Sequence, residues 1–220
     1  LGSSASAIVA GVTLARALIG DADVLGRQEI LEIGSHMEGH PDNVAPAVFG
    51  GATVSWMNEE TSEVGSVRLT PPEGIDPVAF IPDFELRTAA ARAALPATVP
   101  HGDASFNVAR GALLAAVLSG GAQVSAGADL HALLMEATRD RLHQEQRRAA
   151  MEPSLALVDW LRGAGFAAVV SGAGPTVLSL EKVGADIRRD AAGAGWRVVP
   201  LAVAASGVQI TRGSLAKVEF

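Results

Sequence analysis

Residues 1–20 read LGSSASAIVAGVTLARALIG. Leu1-Gly2 suits a tight turn, Ser3 and Ser4 are residues that start helices well, and Ala5 to Ile19 is an apolar run of helix formers. That order aims several backbone N–H groups and two hydroxyls outward at the positive end of a helix, which is a ready anion site. Serine starts many helices that bind nothing, so the turn by itself is more often a structural cap. The rest of the chain has to decide.

Composition narrows the field. The chain has 220 residues, 49% hydrophobic and 19% charged, enough to bury one large or two modest cores. A net charge of -7 leaves no basic surface for nucleic acid, and no Lys/Arg run exceeds the pairs Arg147-Arg148 and Arg188-Arg189. There is no cysteine, so neither a disulfide framework nor a thiolate metal site is available, which fits the cytoplasm. No uninterrupted apolar stretch reaches the roughly 18 residues a membrane span needs. The expected protein is cytoplasmic, with no nucleic-acid or membrane partner.

Periodicity suggests two halves. Helices are predicted over about 5–18, 27–37 and 41–49, the last capped by Gly50-Gly51. Strands follow at Ala52–Trp56, Ser66–Thr70 and Val78–Ile81, separated by polar and Pro-containing turns. A boundary is expected near Pro82, giving domains 1–82 and 83–220. The second half reads as helices near 88–94, 104–118, 130–138 and 154–162, then strands 167–170 and 176–180, a helix near 186–192 and a strand 196–202. Gly-rich Val124–Ala128 reads as a loop. A hairpin, a helix and a returning strand point to an α+β fold with a split layer, rather than a doubly wound sheet.

Two further stretches carry chemistry. Glu32-Ile-Gly-Ser-His-Met-Glu-Gly-His-Pro-Asp-Asn43 concentrates two Glu, two His, an Asp and an Asn just before a helix start. It reads equally as a solvated helix face with a cap, or as a hard-oxygen site that favours magnesium over zinc. Val170-Ser-Gly-Ala-Gly-Pro-Thr-Val177 links two strands. Gly172 and Gly174 there serve either a tight hairpin or the close approach of another backbone, and Pro175 leads into a strand, so the helix N-terminus of a dinucleotide fold is lacking.

Taken in order, L-G-S-S-A, the string E-G-H-P-D-N-V-A-P-A-V-F-G-G (Glu38–Gly51) and S-G-A-G-P-T-V resemble the homoserine kinase branch of the GHMP small-molecule kinases through essentially the whole chain. Leu86-Arg-Thr-Ala-Ala-Ala-Arg-Ala-Ala-Leu-Pro96 is similar to that family's S-T-x-x-A-R-x-x-L-P. Asp140-Arg-Leu-His-Gln144 with Arg147 is similar to its D-x-L-H-x-P-Y-R. The family's phosphate loop reads P-x-x-x-G-L-G-S-S-A, so the resemblance implies a chain that starts inside the loop. It also implies a two-domain fold: an incomplete N-terminal ATP- and Mg²⁺-binding domain and a C-terminal ferredoxin-like split α/β layer.

The implied reaction is ATP-dependent phosphorylation of the side-chain hydroxyl of L-homoserine, a step of threonine biosynthesis, by direct attack on the γ-phosphate. Leu1, Gly2, Ser3, Ser4, Ala5 and Ser6 would cradle the phosphates, with Gly172 and Gly174 also at the nucleotide; Ser4 and Glu32 would hold Mg²⁺. Arg92 and Arg147 would clamp the substrate carboxylate with help from Thr88, while His40, Asp42 and Asn43 line its amino and hydroxyl side. Asn43 stands where related kinases place an Asp base, and an amide orients a hydroxyl but cannot take its proton. Glu145-Gln146 replaces the family's Pro-Tyr before Arg147, which makes Arg141 the alternative carboxylate ligand. A mevalonate- or sugar-type kinase of the same superfamily, a non-catalytic binding or oligomerisation module, and a homodimer are the other expectations.

Overall fold

In the computed structural model, residues 2–19, 25–120 and 129–211 are described. Leu1 and the predicted loop Val124–Ala128 lie outside them. The contact pattern divides the chain into two units, one of Thr70–Val203 and one of Gly2–Leu69 joined by the residues from Ala204 onward.

The first unit begins with helix α1 (Ser3–Ile19), followed by α2 (Arg27–Glu38) and α3 (Val44–Phe49). Strands β1 (Ala52–Met57) and β2 (Val64–Leu69) then form an antiparallel hairpin running from Ala52↔Leu69 to Met57↔Val64. Helical spacing explains the packing. Helix α1 buries Ala5, Val9 and Thr13, one stripe at i, i+4 and i+8, and α2 buries Ile30, Leu31, Gly34 and Ser35. These stripes meet Val44, Ala45 and Val48 of α3 in one core. The returning chain closes the unit, with Gly51 donating to the Ala204 carbonyl at 2.7 Å and Val208 to that of Ala47 at 2.9 Å.

The second unit starts with β3 (Val78–Ile81) and passes through helices α4 (Thr88–Ala93), α5 (His101–Leu118) and α6 (Leu130–Ala137). A 3₁₀ turn (Glu145–Ala150) leads into α7 (Glu152–Gly163), the hairpin β4 (Ala168–Val170) and β5 (Val177–Ser179), helix α8 (Ala185–Gly193) and strand β6 (Arg197–Pro200). The sheet order is β4-β5-β3-β6 with every neighbour antiparallel. Read from its first strand, that is the 2-3-1-4 order of a ferredoxin-like split β-α-β layer. Phe80, fully buried in the middle of the sheet, packs with Leu155, Val158 and Leu161 of α7 and with Val183.

The boundary expected near Pro82 is corrected. Strand β3 is paired on both sides, so it is the central strand of the second unit rather than the last of the first. Its unbroken run Val-Ala-Phe-Ile is the pattern of a strand covered on both faces, with the first three residues buried. The change of unit falls after Leu69, and Ala204 onward returns to the first unit instead of ending the second. Among the described residues, no helix is long and apolar enough to cross a membrane.

Candidate active site

Helix α1 starts from a glycine turn at Gly2. Gly2 has φ +67°, which favours glycine, and a Cβ added there would lie 3.2 Å from Oδ1 of Asn43, which would have to shift slightly. The helical ladder opens with Ser6 N–H donating to the Gly2 carbonyl at 2.9 Å, which leaves the N–H groups of the preceding residues at the helix start without an intrahelical acceptor. Ser3, Ser4 and Ser6 are exposed there, while Ala5 is buried in the core and fixes the first turn. The donor set suits an anion: N–H groups, hydroxyls and the positive helix end.

Around this turn the structure gathers Asn43 and a carboxylate outside the predicted set. Ser4 Oγ donates to Glu38 Oε1 at 2.6 Å. Glu32, one helical stretch earlier on α2, is half-buried and accepts from Gln28 Nε2 at 2.9 Å, and the same amide nitrogen donates to the Val64 carbonyl at 2.8 Å. Ser4 and Glu32 thus have separate protein partners. The donors present nonetheless fit magnesium, a hard cation that takes one or two protein oxygens and completes its shell with phosphate and water. Among the described residues, no group of three or more His, Asp or Glu side chains forms a protein-only metal cage.

Asp42 organises the segment before α3. His40 Nδ1 lies 2.6 Å from Asp42 Oδ1, and that oxygen accepts the Asn43 N–H at 3.0 Å. Asp42 and Asn43 are exposed, so the pair presents polar groups beside Gly2 while Val44 and Ala45 are fully buried just beyond.

The arginines belong to the second unit. Thr88 and Arg92 stand at i and i+4 on α4, both exposed. Arg147, in the 3₁₀ turn, is only 8% exposed and its Nε donates to the Ala91 carbonyl at 3.1 Å. Burial pulls the Arg147 pKa below the usual guanidinium range; Asp140 acts against this and the nearby positive charge of Arg92 adds to it. Two guanidiniums within electrostatic reach of one another favour a carboxylate between them. Arg141 is committed elsewhere: it pairs with Asp103 at 3.3 Å and lies 4.0 Å from the Phe106 ring centroid, on the ring that Arg110 also covers.

Asp140 orders the segment that leads into the turn carrying Arg147. Its carboxylate accepts from His143 N–H at 2.8 Å, Gln144 N–H at 2.7 Å and Asn107 Nδ2 at 2.7 Å. Burial works to raise its pKa, but the bonds from Gln144, Asn107 and His143 outweigh that and hold it below the ordinary value. The Gln144 amide oxygen in turn accepts the Val170 N–H at 2.7 Å, tying the segment to the sheet. In the hairpin loop, a Cβ added at Gly174 would meet Met151 Sδ at 2.7 Å, whereas Gly172 faces open space.

The family model for the GHMP kinases N terminal domain matches residues 1–51, and that for the GHMP kinases C terminal matches residues 113–192. A homoserine kinase of Corynebacterium kroppenstedtii is 41% identical over 222 residues, covering 98% of this chain and 68% of the relative. The chain belongs to the homoserine kinase family of the GHMP kinases. A homoserine kinase of Streptomyces avermitilis is 44% identical over 212 residues, covering 96% of this chain. The chain spans 66% of that relative's length. The fold agrees: the crystal structure of a homoserine kinase from Cytophaga hutchinsonii superposes with a TM-score of 0.78 at 22% identity, over 94% of this chain and 67% of that one. Within the GHMP family frame, the N-terminal match contains the Gly2 turn, Glu32, Glu38 and Asn43, and the C-terminal match contains Asp140, Arg147 and the glycine hairpin.

Sequence reasoning missed Glu38 as a partner of Ser4 and Gln28 as the partner of Glu32. The Gln28–Glu32 bond is an i,i+4 pair within α2 that helical spacing offers, whereas Ser4 and Glu38 are 34 positions apart and meet only because α1 packs on α2. For Glu38 the signal was that it stands within the E-G-H-P-D-N string.

Proposed function

We propose that this protein transfers the γ-phosphoryl group of ATP to the side-chain hydroxyl of L-homoserine, giving O-phospho-L-homoserine and ADP. The observation that carries the reading is the meeting of Asn43 with the Gly2 turn, because it sets the residue that would orient the hydroxyl beside the N–H groups that would hold the phosphates. The names and identities of the relatives supply the substrate class.

In this reading the first-turn N–H groups of α1 and the Ser3 and Ser6 hydroxyls bind the phosphates, with Gly172 and Gly174 contributing backbone at the nucleotide. Ser4 and Glu32 would hold Mg²⁺, which when bound neutralises charge on the β- and γ-phosphates. The Asn43 amide orients the substrate hydroxyl, whose oxygen forms the new P–O bond as the bond to the β-phosphate oxygen breaks. The proton leaves to phosphate or water, since an amide takes none. Phosphoryl transfer rests on alignment and charge neutralisation, so a site without a side-chain base suffices. Arg147 and Arg92 bind the substrate carboxylate with Thr88, and His40 and Asp42 face its amino side.

The test is ADP release by the complete protein with Mg-ATP against L-homoserine, L-serine, L-threonine and mevalonate. Turnover confined to homoserine and abolished in Glu32→Ala, with Asn43→Ala strongly impaired, is expected. Turnover with mevalonate alone would move the assignment to another GHMP kinase. A folded protein inert with all four acceptors would make it a binding module.

A further inference from the structure

We propose that Glu38 is a positioning residue that fixes Ser4 as a cation ligand; the inference rests on the Mg-ATP reading above. The contact is short for a hydroxyl: Ser4 Oγ to Glu38 Oε1 is 2.6 Å, in the range of O–H donation to an ionised carboxylate. Glu38 is the last residue of α2 and Ser4 is in the first turn of α1. The fully buried Ala5, Ile30, Leu31 and Val44 hold these two helices together, so the pair is set by the core rather than by surface chance.

A serine hydroxyl has one proton and two lone pairs. Left to itself at a helix start, Ser4 would point its proton at an incoming phosphate and act as one more donor. Committed to Glu38, the proton is no longer offered to a phosphate, both lone pairs remain for a metal, and the carboxylate that accepts the proton makes the hydroxyl oxygen a stronger ligand. Glu32 does not share this task, because its carboxylate is held by Gln28. A carboxylate so near a phosphate cradle also repels a bare anion and is offset only when a cation accompanies it. Glu38 therefore biases the turn toward Mg-ATP over free ATP.

The experiment is calorimetric titration of the complete protein with ATP, once in excess Mg²⁺ and once in EDTA. In Glu38→Ala the Mg-ATP dissociation constant is expected to rise by about 10-fold or more, the usual size of an outer-shell effect, while binding in EDTA is unchanged or tighter. Glu38→Gln, whose amide oxygen still accepts the hydroxyl proton, should recover part of the loss. In a Ser4→Ala background Glu38→Ala should add little. Equal weakening in both media, or no change in either, would overturn the proposal. If the unaltered protein binds ATP in neither medium, the kinase reading itself falls. A Glu38→Gln variant with unchanged thermal unfolding secures the comparison should Glu38→Ala fold poorly.

Discussion

Gly2 and Gly174 sit in similar small-residue segments, both with left-handed backbone, φ +67° and +83°. Their surroundings separate them. Gly2 lies against an exposed amide and opens onto a helix start; Gly174 is backed by Met151 and by Val170 Cγ1 at 3.0 Å and leads into a strand. The first glycine makes room for the exposed Asn43 amide, while the second lets a hairpin close over a core. A glycine-rich motif therefore states that a side chain is unwelcome without stating whether its neighbour is an exposed side chain or a buried one.

The largest effect is expected at the closed turn. Gly174→Ala combines left-handed strain with overpacking against Met151, costing about 3 kcal/mol, read as a lower urea midpoint. A shift under about 1 kcal/mol would mean that Met151 swings aside and that the loop is less closed than it looks.

The same distinction applies to the two arginines near Asp140. Arg147→Ala should raise the homoserine KM roughly 30-fold, the loss of a charged hydrogen-bonding fork, whereas Arg141→Ala, which breaks an exposed pair with Asp103, should stay within about twofold. If the two variants exchange these outcomes, Arg141 is the carboxylate ligand.

Asp140→Asn should cost about 1.5 kcal/mol near neutral pH by weakening the bonds that hold its turn. Because the folded-state pKa lies below the ordinary 3.8, the ionised carboxylate stabilises fully above that value and its contribution is lost as pH falls through the folded value. Denaturation curves of wild type and variant should therefore converge only in acid. A gap that persists there would show a purely steric role.

Gly2→Ala is the mildest in stability, about 1 kcal/mol, because Asn43 is exposed and has room to give. Its signature is a fall in ATP affinity with only a small loss of stability, whereas Gly174→Ala loses mainly stability. Should both alanines behave alike, the distinction between the open and closed turns collapses.

What the chain discloses by itself follows the same division. Local signals placed the helices and the hairpins within a few residues, since the α1 and α2 stripes are periodic and the Pro-Glu-Gly turn is local. The place of β3 was hidden, because Val-Ala-Phe-Ile carries no mark of which strands will flank it. At the site, Gly2 and Asn43 were legible as separate residues through the family motif, but their meeting was not. The role of Glu38 was hidden despite its place in the motif: a glutamate at a helix end looks like solvated charge until a second helix sets a hydroxyl against it.

The order of synthesis adds a consequence of the returning chain. Residues 70–203 form one uninterrupted stretch with its own sheet, able to assemble as soon as it has been made. The unit carrying the Gly2 turn has its helices first, yet Gly51 and Ala47 find their backbone partners only at Ala204 and Val208. On a translating ribosome, the half that begins earlier is the half completed later.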